Sequence, residues 1–95
     1  MTERVVISAA STPGLPRGVK LRFDKTRDTW VLLAPEKLFV LDAIAHEIVK
    51  RCDGESSVDA IVDDLAATFE AERALIEKDV TALLQDFADK GVMSG

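Results

Sequence analysis

The hydrophobic pattern changes period at Leu41, and that change decides which class of fold this chain can adopt. Ahead of it, Val19, Leu21 and Phe23 alternate with Lys20, Arg22 and Asp24, the pattern of a strand with one side in a core and the other in water. Beyond it, apolar residues recur at a period of about 3.6, so the chain turns from strands to helices. Strands first and helices after, in one short chain, predict an α+β domain.

The details follow from turn and cap chemistry. The polar run Asp24-Lys-Thr-Arg-Asp28 predicts a hairpin turn, and Thr29-Trp-Val-Leu-Leu-Ala34 a second strand. Pro35-Glu36 turns the chain again, because proline presets a turn dihedral and cannot donate to a ladder. A third strand is predicted at Lys37-Leu-Phe-Val-Leu41. Leu41, Ile44, Ala45, Ile48, Val49 and Cys52 then mark the buried side of a helix that ends at Gly54. Ser56 or Ser57 caps a second, whose buried stripe is Val58, Ile61, Val62, Leu65, Ala66 and Phe69. A third carries Ile76, Val80, Leu83, Leu84, Phe87 and Ala88 and stops at Gly91. The expected architecture is winged-helix-like: a three-stranded antiparallel sheet followed by three helices, over residues 19–95. Residues 1–18 include Ser11-Thr-Pro-Gly-Leu-Pro-Arg-Gly18, which precludes a regular element and predicts a flexible N-terminal arm.

A sheet covered by helices on one side should be polar on the other. The first strand obeys; the second and third are apolar on both faces, which leaves large side chains pointing away from any single core. Either another part of the chain covers them or they await a partner beside an open strand edge. The third strand is the expected edge, and an extended peptide could add to it and lay its side chains on the third helix.

Bulk properties narrow the function. With 95 residues, 47% of them apolar, there is room for one core and little left for a buried multi-residue active site, so no catalytic role is expected. Residues 1–40 hold seven cations against four carboxylates, and residues 41–95 five against thirteen. An acidic helical half repels nucleic acid, whose binding rests on Lys and Arg neutralising phosphates. The single cysteine, Cys52, precludes an internal disulfide and suits a reducing compartment. The run Val5-Val-Ile-Ser-Ala-Ala10 is too short for a signal-peptide core, and no stretch approaches the ~20 apolar residues of a membrane span. A cytoplasmic protein without metal or cofactor is expected.

Individual chemical candidates reduce to structural roles. His46, between Asp42 and Lys50, is expected to be solvated, and Cys52 to be a small core residue. Asp59, Asp63 and Asp64 are expected on the outer face of the second helix, solvated or facing a basic partner. Gly54-Glu-Ser-Ser-Val-Asp59 loosely resembles the phosphopantetheine site of acyl carrier proteins, but Ser57 is preceded by Ser56 where that motif has aspartate. A carrier module and a winged-helix nucleic-acid binder are the alternatives to peptide binding.

Several longer runs resemble one family. Pro16-Arg-Gly-Val-Lys-Leu-Arg-Phe-Asp24, Trp30-Val-Leu-Leu-Ala-Pro-Glu36, Ile48 to Gly54 ending in Cys-Asp-Gly, Val58-Asp-Ala-Ile-Val62, and Asp79-Val through Leu83-Leu84 to Gly91 are similar to the pyrroloquinoline quinone biosynthesis protein D family, PqqD. The resemblance implies a recognition element that binds the ribosomal precursor peptide of the cofactor and presents it to a radical SAM enzyme. It further implies a peptide site between the third strand and third helix: Leu38, Phe39, Val40 and Leu41 on the strand, and Asp79, Leu83 and Phe87 on the helix. Asp42 stands where the family often carries asparagine. Some members are fused to another enzyme of the pathway, which would make the arm before Pro16 a former linker.

Overall fold

Asp24 sets the first turn: its carboxylate accepts from the backbone N–H of Thr26 and pairs with Arg27 at 2.7 Å, while Asp28 takes a left-handed conformation (φ 53°). In the computed structural model, which describes residues 5–35 and 37–95, that turn joins β1 (Lys20–Asp24) to β2 (Thr29–Ala34). β3 (Lys37–Val40) follows after Pro35; Glu36, the other half of the expected turn, lies outside the described residues. The order is β1-β2-β3, antiparallel throughout, with Leu21 opposite Leu32 and Leu32 opposite Phe39.

Cross-strand partners share a face. Leu21, Trp30, Leu32, Ala34 and Phe39 therefore look toward the core, and Lys20, Arg22, Val31, Leu33, Leu38 and Val40 look away. The expected apolar surplus on the outer face is exposed on β3, where Leu38 is 42% and Val40 59% exposed, but not at Val31 of β2, which is 2% exposed.

The helices are α1 (Ala43–Val49), α2 (Val58–Phe69) and α3 (Arg73–Asp89). Asp42 caps α1 by accepting from Ala45 N–H, and Ser57 caps α2 by accepting from Ala60 N–H at 3.1 Å. Their inner sides meet Leu32 in one core that includes Ile48, Val49, Ile61, Val62, Leu65, Val80, Leu84 and Phe87. Two large residues assigned to buried stripes are exposed instead: Ile44 is 55% and Phe69 46% exposed. α1 has only seven residues, so its first turn overhangs the core, and Phe69 is the last residue of α2.

The described part of the segment ahead of β1 has no helix or long strand, as its prolines and glycines require, but it is laid against the domain and does not stand off it. Ile7 is 5% exposed within the core. Gln85 of α3 holds the backbone on both sides of Val6, accepting from Ile7 N–H and donating to Val5 C=O, each at 2.8 Å. The carbonyls of Ala9, Ser11 and Pro13 accept from the N–H groups of Asp59, Val58 and Gly54, so the segment satisfies the start of α2 and the loop before it. Gly14 pairs with both Asp53 and Ser94. A Cβ there would lie 2.9 Å from the Gly54 backbone, which is why this position needs a glycine. Local composition excluded a regular element but carried no information about these distant partners.

Candidate peptide-binding groove

The hydrogen-bond phase of β3 follows from one bond. Leu41 N–H donates to Trp30 C=O at 2.9 Å, and antiparallel pairing alternates bonded and non-bonded residues. Phe39 and Lys37 thus turn their backbone groups toward β2, whereas the N–H and C=O of Leu38 and Val40 point away from the sheet. Among the described residues no strand pairs with that side of β3. The other edge, β1, carries Lys20, Arg22 and Asp24 among its five residues, a charge density that discourages pairing; β3 carries only Lys37.

α3 runs beside this open edge. The Phe39 and Phe87 rings meet at 5.7 Å between centroids, and the Lys90 ammonium lies 5.6 Å above the Phe39 ring. Lys37 reaches across from the strand to the Lys90 carbonyl at 3.4 Å. One end of the groove is a depression of about 340 Å³ lined by Lys37, Leu38, Phe39 and Lys90. The other is a smaller one of about 160 Å³, where Asp42, Ala45 and Ile48 face Asp79 and Leu83.

The residues singled out from the sequence divide into three groups. Phe39, Leu83 and Phe87 come together as apolar groove wall and floor, with Phe87 itself 5% exposed. Leu38 and Val40 turn their side chains to the far face of the sheet, so only their backbone addresses the groove. Leu41 is 2% exposed and belongs to the core. Asp79 stands at the groove's mouth next to α1. Lys37 and Lys90 escaped the sequence reading, although Lys37 shares the alternation of Phe39 and Lys90 falls one turn after Phe87.

The remaining candidates are tied up in structure. Cys52 donates to Ile48 C=O at 3.3 Å, and burial pushes its thiol up to about 12, so no reactive thiolate forms near neutrality. The expected freely solvated His46 is instead stacked flat on Trp30, 4.4 Å between centroids and 7° between planes, and that burial lowers its pKa. Asp59 and Asp63 both pair with Arg73, and Asp64 pairs with Arg51 at 2.6 Å. The acidic face of α2 is therefore held in ion pairs within the domain but keeps an excess of negative charge, since the one Arg73 serves Asp59, Asp63 and Glu77. The Ser57 hydroxyl accepts at the cap of α2. Among the described residues no group of three or more His, Cys, Asp or Glu is arranged to hold a metal, and no helix is long and apolar enough to cross a membrane.

Known proteins resemble this chain along nearly its whole length. The family model "Coenzyme PQQ synthesis protein D (PqqD)" matches residues 29–93. A "PqqA binding protein" of Rhodopseudomonas palustris (strain BisB5) is 53% identical over 93 residues, covering 98% of this chain and 91% of the relative. Among solved structures, the solution structure of the PqqD truncation of Methylobacterium extorquens PqqCD, described as a functional and stand-alone RiPP recognition element, superposes with a TM-score of 0.84. It is 41% identical, and the match covers 99% of this chain and all of that one. The crystal structure of PqqD from Xanthomonas campestris matches at a TM-score of 0.58 with 44% identity, covering 90% of this chain and 96% of the other. With its sheet, its helices and its sequence all matched, the chain belongs to the PqqD family.

Proposed function

We propose that this chain is a non-catalytic recognition module of pyrroloquinoline quinone synthesis, which takes the PqqA precursor peptide as a fourth strand on β3 and presents it to a radical SAM enzyme in the cytoplasm. The observation that carries the peptide-binding reading is the open edge of β3, with Leu38 and Val40 offering backbone donors and acceptors beside the Phe39–Phe87 wall. Up to four backbone hydrogen bonds at about 1 kcal/mol net each supply a sequence-independent attraction. Two or three apolar anchors along α3, at about 2 kcal/mol each, supply selectivity. After the cost of ordering a flexible peptide, affinity near the micromolar range is expected. The names borne by the relatives support PqqA as the guest. The enzyme that receives the peptide is inferred from the family resemblance alone.

Amide NMR during titration with PqqA tests the reading. Shifts should concentrate at Leu38, Phe39 and Val40 and along Leu83 to Lys90. Shifts confined to α2, or none at saturating peptide, would refute the groove.

A further inference from the structure

The groove has unlike ends. At one, Lys37 from β3 and Lys90 from α3 converge over Phe39. Among the described residues, the Lys90 ammonium has as its one ion pair an exposed contact with Asp86, and Lys37 as its one hydrogen bond a 3.4 Å contact with a carbonyl. Both are weak, solvent-screened contacts that an incoming carboxylate can replace. At the other end, Asp42 and Asp79 flank the depression against α1, and Asp79 makes no ion pair among the described residues. The two charged ends are separated by the length of β3.

We infer that Lys37 and Lys90 form a subsite for an acidic side chain of the guest peptide, and that Asp42 and Asp79 favour a basic side chain at its other end. This inference rests on the strand-addition reading. A guest pairing antiparallel with β3, the geometry of the rest of the sheet and slightly the more stable one, runs from the Asp42 end toward the Lys37 end. Its basic residue then precedes its acidic one, with the apolar anchors between them. A guest of reversed charge order places like charges together at both ends and is rejected, so the groove reads direction as well as hydrophobicity.

The test is titration calorimetry of PqqA against the wild-type chain and a Lys37→Glu/Lys90→Glu double variant, at low and at physiological salt. Affinity should fall by about tenfold in the double variant, since each exposed or half-exposed pair contributes a few-fold. The loss should shrink with salt. One Glu→Lys or Asp→Lys variant of PqqA should bind the double variant better than native PqqA does. Unchanged affinity, or a loss that no such peptide variant recovers, overturns the subsite. Lys37→Gln/Lys90→Gln, which adds no repulsion near Asp86, should lose about threefold; no loss there also counts against it. A Val40→Pro variant, measured alongside, separates the two ideas. If it weakens binding while the lysine variants do not, the groove stands and the subsite falls; if neither weakens binding, strand addition itself fails.

Discussion

Val40→Pro addresses the backbone of the guest site while leaving most of the domain alone. The Val40 N–H points to the open side of β3, so proline removes no hydrogen bond to β2. The preceding residue, Phe39, is already extended, which is what a following proline demands. For the guest the change is severe. One backbone hydrogen bond of about 1 kcal/mol is lost outright, roughly fivefold in affinity. The ring also stands where the guest backbone must approach to about 4.8 Å, so the bonds at Leu38 are stretched as well. A total of about 2 kcal/mol, or thirtyfold, is expected. Titration calorimetry with PqqA reads the affinity, and circular dichroism with a thermal melt verifies the fold. Phe39→Pro is the contrasting control: its N–H belongs to the ladder with Leu32, so that variant should lose stability before it loses binding. A folded Val40→Pro protein with native affinity would mean that the peptide is held by side chains alone, and strand addition would have to be abandoned.

Other expectations concern the scaffold. Gly14→Ala drives a methyl group to 2.9 Å from the Gly54 backbone, so the N-terminal segment must shift; a loss of about 1–3 kcal/mol in denaturant unfolding is expected, with little change in the affinity of the remaining folded protein. Ile7→Ala should cost about 2–4 kcal/mol in the same assay, because Ile7 is a core residue; a cost near zero would show that the segment is loosely held in solution. Arg51 first, then Lys50, hold the Glu47 carboxyl down at about 2 from its ordinary 4.5. A depressed folded-state pKa gives stability that is present above pH 4.5 and lost as pH falls toward 2; Glu47→Gln should flatten that part of the stability profile, and high salt should mute the difference. Trp30 is the sole tryptophan and lies against His46, so its fluorescence should change with a midpoint below 6.5, the direction set by the burial of the imidazole; His46→Gln should abolish the transition.

The parts of the fold legible in the sequence are those governed by neighbours along the chain. Alternation at Val19–Phe23 gave β1, the Asp24-to-Asp28 run gave its turn, and the stripes from Val58 and Ile76 gave α2 and α3 with their stops. The two-faced character of β2 and β3 led to the open edge because an apolar residue without a core is a local observation. What stayed hidden depends on distant partners. Gln85 and the carbonyls of Ala9, Ser11 and Pro13 fasten the N-terminal segment through residues some forty to eighty positions away. Arg73 bridges Asp59 and Asp63 from the next helix, and the flat contact of His46 with Trp30 joins a helix to a strand. Phe69 and Ile44 satisfied the helical period but sit at helix ends, where period no longer guarantees cover. Within the groove, Phe39 and Phe87 were visible as apolar positions; the paired lysines needed the register of β3 against α3.

The placement of Gln85 also sets how this module can be tethered. At 100° per residue, Gln85 projects from the side of α3 nearly opposite Leu83, Phe87 and Lys90. Chain entering through Val5 and Ile7 is therefore clipped to the back of the helix whose front lines the proposed groove. A larger protein joined ahead of this domain would pull on it from behind, and could hand over or release a peptide without its own leash crossing the doorway.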